Sequence, residues 1–299
     1  MPSRADEPLS RVLDGSRIGG LRATLRPISL LWGRFDGEGW WKPLRTPAGP
    51  ATLLVARRGD GVTGTAWGPG RTWVLDRLDA IVGLHDVDGF EPADERIARL
   101  YRRNPSRFGR TGAMFEALVQ AVLEQKVTGA EAKTALRAIT HAYSEPAPGP
   151  RARLMLPPDP ARLAGSRYHD LHDLGVERRR SELVLRLASE AHRLERLADL
   201  PAAEAGRRLA PIPGVGRWTI AETLVVTHGD TDAVSVGDYH LKHQVVWHLA
   251  GRERGTDQEM LELLEPFRPH RARVVRLLEA LPTYPRRGPR MPVRRFSSL

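Results

Sequence analysis

Apolar and polar positions along the 299-residue chain follow two different periods. Over residues 23–84 the pattern is β-like, with short apolar runs broken by glycines and charges. Residues 25–32 and 52–56 read as strands, and residues 62–67 alternate around glycines. Arg58-Gly59-Asp60-Gly61 supplies a turn between the last two. Residues 1–20 are polar and predict a frayed end. Residues 86–95 are acidic, hold Gly89 and Pro92, and read as a linker. From residue 96 the period turns helical. Ile97, Leu100 and Tyr101 share one face and leave the other to arginines. Phe115, Leu118, Val119, Val122 and Leu123 form a second stripe, and Leu183, Leu187, Ala188 and Ala191 a third. Six prolines over 144–160 exclude a helix there, and the next helix should start near Asp159-Pro160. Leu241, Val245 and Leu249 mark another helical face, and 271–281 is the last helix. The predicted class is α+β. A β-rich domain spans 1–88, a mostly helical domain 89–282, and an arginine- and proline-rich tail 283–299.

Charge adds a partner to this picture. The net charge is +10, and 42 of the 46 basic residues are arginines. Residues 267–299 alone hold nine arginines against one glutamate. So uneven a basic strip suits a polyanion, nucleic acid before membrane, although a solubilising tail would look similar. Residues 96–110 add six arginines and no acid. The chain has no cysteine, which excludes disulfides, thiolate metal sites and an iron–sulfur cluster. No run of 18 apolar residues and no signal-like start is present, so a cytoplasmic, monomeric protein is expected. Five of the seven tryptophans (Trp32, Trp40, Trp41, Trp67, Trp73) fall in the β-rich part, where they predict core.

Residues 209–248 carry the chemistry. Gly214 and Gly216 lie in a tight turn between two helical segments. Glycines there bare backbone N–H groups to an anion, and the following helix start adds its dipole. Further on, Asp238 follows Gly237 at another helix start. An aspartate there is, at the least, an N-cap. Pro213-Gly214-Val215-Gly216-Arg217-Trp218-Thr219 resembles the hairpin of the helix-hairpin-helix DNA glycosylases, and Val236-Gly237-Asp238-Tyr239 resembles the segment that carries their catalytic aspartate. Within that superfamily the chain is most similar to the 3-methyladenine DNA glycosylase II branch, over residues 103–276.

The resemblance implies a helix-hairpin-helix core behind a small β domain. It implies that Asp238 is catalytic, that Trp218, Tyr239 and Glu222 line a base pocket, and that Gly214, Gly216 and Arg217 hold duplex DNA. Glu222 replaces an aromatic common in those relatives. Glu124-Gln125-Lys126-Val127-Thr128 resembles the turn that probes the minor groove. Lys126 stands where relatives place a wedge, and Gln125 is expected to share that work. Lys242 is placed to pair with Asp238 or a phosphate. A monovalent cation is implied on the hairpin backbone near Pro213 and Gly216, and no other cofactor. Lyase-capable relatives carry a lysine where Trp218 stands. The implied activity is therefore a monofunctional glycosylase for alkylated purines in damaged duplex DNA. A non-catalytic binder of DNA structure, a glycosylase for deaminated or oxidised bases, and an RNA-binding protein remain as alternatives. Tyr168-His169-Asp170-Leu171-His172-Asp173 has the look of metal ligands but no further ligand cluster to complete a site.

Overall fold

The computed structural model describes residues 7–86 and 89–285; most of the arginine-rich tail lies outside the described residues. Five strands, β1 (Leu9–Asp14), β2 (Arg34–Phe35), β3 (Trp40–Thr46), β4 (Gly49–Arg58) and β5 (Gly61–Trp67), form one antiparallel sheet in the order β1-β5-β4-β3-β2. The turn at Gly59 works as the sequence predicts: Arg58 pairs with Gly61, and Gly59 takes a positive φ of 54°.

Two of the predicted elements change. Residues 9–14 are not frayed but form the edge strand β1, with Ser10 Oγ 3.0 Å from Thr65 Oγ1. Residues 25–32 are not a strand. Their first half belongs to the helix α1 (Leu21–Ile28), followed by a turn. Leu21, Leu25 and Ile28 recur at i, i+4 and i+7, a helical period that the dense apolar run through Trp32 hides.

Helices α2 (Arg71–Asp76) and α3 (Leu78–Ile81) close the sheet. The helical part then runs α4 (Glu95–Arg103), α5 (Met114–Leu123), α6 (Gly129–Tyr143), α7 (Pro160–Ala164), α8 (Tyr168–His172), α9 (Arg178–Ser189), α10 (Ala191–Glu195), α11 (Ala202–Leu209), α12 (Arg217–Thr227), α13 (Leu241–Ala250), α14 (Asp257–Leu264) and α15 (Arg271–Glu279). None of these helices is long and apolar enough to cross a membrane. As predicted, α7 starts at a proline, with Asp159 Oδ1 accepting from Ala161 N at 2.8 Å.

Three cores hold the protein. Leu25, Ile28, Trp40, Leu53, Val55 and Leu78 pack beneath the sheet and reach Ala117 of α5 and Val226 of α12. A second core gathers around α5, where Met114, Leu118 and Val122 meet residues of α6 and α9, together with Leu209 of α11 and Leu224 of α12. A third joins Ile97 of α4 to Leu241, Val245, Met260 and Val274. The hairpin helices thus belong to the second core and α13 to the third. The loop carrying Asp238 lies where the two meet.

Buried charges tie these bodies together. Lys42 of β3 pairs with Glu116 of α5, both almost wholly buried. Asp86, expected in a linker, is instead an anchor. Its Oδ1 accepts from Arg273 of α15 at 2.6 Å and its Oδ2 from Phe108 N at 2.9 Å. Glu195 caps α5 from across the chain, accepting from Met114 N (3.0 Å) and Phe115 N (2.9 Å). Burial outweighs these donors and pushes its carboxyl up to about 7.

Candidate active site

The segment between α11 and α12 is clamped from both sides. Leu209 and Val215 sink into the second core, and Val215 N donates to Ile212 O at 2.9 Å. Gly214 has a φ of 95°, and a Cβ there would stand 2.9 Å from Leu183 Cδ2, so both backbone and neighbour demand glycine. Gly216 faces open space. It precedes a helix with no side-chain cap and no acid in its first turn, and so leaves the first N–H groups of α12 to an incoming anion. Arg217 is exposed beside them.

Gln125 does not probe outward as a wedge. Its Nε2 donates to Gly214 O at 3.0 Å and to Thr219 Oγ1 at 2.8 Å, fixing the α5–α6 turn against the hairpin. Lys126, next along, is exposed with a φ of 55°, a conformation uncommon for a lysine. The structure therefore separates the two roles: Gln125 holds, and Lys126 projects. Gln125→Ala is expected to weaken duplex binding roughly five- to tenfold, about 1 kcal/mol from two lost hydrogen bonds, as read by fluorescence anisotropy.

Asp238 is both a cap and an oriented carboxylate. Gly237, at a φ of 94°, turns the chain into it. Its Oδ1 accepts from His240 N (2.7 Å) and Leu241 N (2.8 Å) at the start of α13. Its Oδ2 accepts from Trp218 Nε1 at 3.1 Å, across from α12. Lys242 does not pair with Asp238. It reaches Asp257 Oδ2 at 3.8 Å, and Asp257 Oδ1 accepts from Gly237 N at 3.2 Å, so Lys242 braces the loop.

Trp218 is half-buried, and Glu222 follows one turn later on the same helix. Glu222 Oε1 accepts from the Ser235 hydroxyl. It lines a recess of about 260 Å³ between α1, α5 and α12, together with Arg26, Gln120 and Glu124. Burial first, then the nearby Glu279, Glu124 and Asp238, push Glu222 up to about 7. Tyr239 does not line this recess. It is 73% exposed, with its ring 4.9 Å from that of His240 and edge-on to it.

A second groove, of about 860 Å³, runs beside the hairpin. Arg186, Arg193, Arg196, Arg207 and Arg208 line it, with Pro211, Ile212 and Pro213 along its floor. Sequence reading missed this positive surface because its arginines come from three separate segments; only their helical spacing hinted at a shared face. Neither carbonyl expected to hold a cation stands free. Pro213 O accepts from the Arg186 guanidinium and Gly216 O from Ile220 N, at 3.0 Å. A positive charge of the chain's own already lies at Pro213, so these two atoms do not fit a metal ion. The histidine-rich α8 gives no site either. Among the described residues no cluster of three or more potential ligands could hold a metal. His240 Nδ1 lies 2.7 Å from Tyr284 OH, and His243 Nδ1 accepts from Gly255 N at 3.2 Å, so both are structural.

No protein-family model matches the chain. Among curated proteins, YfjP of Bacillus subtilis (strain 168), named as a candidate DNA-3-methyladenine glycosylase, is 21% identical over 162 residues. The match covers 53% of this chain and 55% of that protein, so it spans about half the length of the curated relative. Among solved structures, a 3-methyladenine DNA glycosylase from Archaeoglobus fulgidus superposes with a TM-score of 0.77 at 18% identity, over 90% of this chain and 97% of its own. An 8-oxoguanine glycosylase/lyase from Clostridium acetobutylicum, in complex with duplex DNA, superposes with a TM-score of 0.68 at 12% identity, over 86% and 89%. The likeness is one of fold. This chain has the fold of the helix-hairpin-helix DNA glycosylases, with the N-terminal sheet included.

Proposed function

We propose that the protein is a monofunctional DNA glycosylase of base excision repair. It would hydrolyse the N-glycosidic bond of alkylated, 3-methyladenine-like purines flipped out of duplex DNA and leave an abasic site. The observation that carries this reading is the carboxylate of Asp238. Two backbone N–H groups and an indole N–H fix it beside an uncapped, glycine-bared helix start. As the base leaves, the sugar gains oxocarbenium-like charge. A fixed carboxylate stabilises that charge and orients water for attack at C1′. The target must leave the stack to reach it. The Trp218 ring offers a face on which a cationic alkylated purine stacks well. The α12 N–H groups and the arginine-lined groove bind phosphates, giving salt-dependent affinity for duplex DNA.

Trp218 provides no amine, so no Schiff base forms at that position. Borohydride added during turnover is expected to trap no covalent protein–DNA complex, and strands should break only after alkali. A trapped complex would overturn the monofunctional reading.

A further inference from the structure

Glu222 is a carboxyl group that stabilisation of the sugar does not need. It shares a face of α12 with Trp218, and its Oε1 is held by the hydroxyl of Ser235, three residues before Asp238. Oε2 is left as the oxygen able to carry a proton. The charged groups around it come from four elements: Glu124 from α5, Arg26 from α1, Glu279 from α15, and Asp238 from the loop before α13. Three of the four are acidic, and Glu279 is partly offset by Arg276. Burial raises Glu124 and Glu279 as well. At about 7, Glu222 holds its proton in a large share of molecules at neutral pH. Cleavage of a glycosidic bond commonly divides its work between two carboxyl groups, one stabilising the sugar and one protonating the leaving group.

Resting on the glycosylase reading above, we propose that Glu222 is a general acid that protonates the departing base, and that the substrate class therefore includes neutral purines as well as cationic alkylated ones. A cationic purine takes the bonding pair and leaves neutral. A neutral purine would leave as an anion unless protonated. In the proposed step the C1′–N9 bond breaks and its electron pair goes to the purine. The Glu222 proton moves to a purine ring nitrogen, leaving Glu222 as carboxylate. Water adds to C1′ as hydroxyl and gives its proton to Asp238. The products are a neutral base and an abasic sugar, and both carboxyls return to their starting states by exchange with solvent.

The test compares two matched duplexes, one carrying 7-methylguanine and one carrying hypoxanthine, in single turnover from pH 5.5 to 8.5. Wild type is run beside Glu222→Gln and Glu222→Asp. Wild-type release of hypoxanthine is expected to fall about tenfold per pH unit above about pH 7, a limb that 7-methylguanine release lacks. Glu222→Gln should abolish that limb and lower the hypoxanthine-to-methylguanine rate ratio by about a hundredfold or more. Glu222→Asp, which keeps an acid, should retain the limb. Release of 7-methylguanine without hypoxanthine would overturn the proposal alone, as would a Glu222→Gln protein slowed equally on both bases. Release of neither base would overturn the glycosylase reading as well.

Discussion

Asp238→Asn should lower base release from alkylated duplex DNA by about a thousandfold or more while leaving duplex affinity within a few-fold. The two effects separate because Asp238 has two jobs. Asparagine keeps an oxygen to accept from His240 N and Leu241 N, so the start of α13 stays capped. The other position becomes an amide NH₂ facing the Trp218 Nε1–H, donor against donor, where a carboxylate oxygen accepted at 3.1 Å. Both the negative charge and the contact orienting it are lost. Removing one electrostatic stabiliser commonly costs about a hundred- to thousandfold in rate, and losing the orientation of water adds to that. Single-turnover release gives the rate, and fluorescence anisotropy the affinity. A variant that keeps a tenth of wild-type release would exclude Asp238 as the stabilising group.

Lys42→Met should be the most destabilising single change outside the site. Lys42 is fully buried, and besides Glu116 its Nζ donates to Ser29 O at 3.2 Å. Methionine fills the space but leaves Glu116 as a lone buried carboxyl, one of whose oxygens already lacks a partner. Burial already pushes Glu116 upward against the pull of Lys42, so removing the lysine leaves it to unfold the site or take up a proton. Breaking a buried pair on one side costs about 3–5 kcal/mol. In a chain of this size that is a fall in Tm of roughly 10 °C by calorimetry. The double variant Lys42→Met/Glu116→Leu should recover most of the loss, since an apolar pair of similar volume replaces an ionic one at little cost. A double variant as unstable as the single would show that packing, rather than the stranded charge, sets the penalty.

Much of the fold could be read from periodicity, because stripes such as Leu118, Val119 and Val122 depend only on neighbours along the chain. Where it failed, the information was not local. β1 is short, polar and half exposed, and only its pairing with β5 makes it a strand. Asp86 looks like any acid in a linker, and Arg273, its partner, lies 187 residues away. At the candidate site, Gly214, Gly216, Trp218 and Asp238 announced themselves as motifs, and the structure brings Trp218 and Asp238 into contact. The tasks of Gln125 and Lys242 were not legible. Each depends on which acceptor lies in reach, and for both it was one the motif did not contain: Gly214 O for Gln125 and Asp257 for Lys242. The recess at Glu222 is assembled from α1, α5 and α12, so no single stretch of sequence encodes it.

The most direct measurement is release of free bases from duplex DNA treated with a simple methylating agent, with the freed bases identified by chromatography. Expected are methylated purines in solution and strands that stay intact until alkali is added. Duplex binding with no base released, from methylated DNA or from duplexes carrying deaminated or oxidised bases, would contradict the assignment of a glycosylase and leave a protein that only binds DNA.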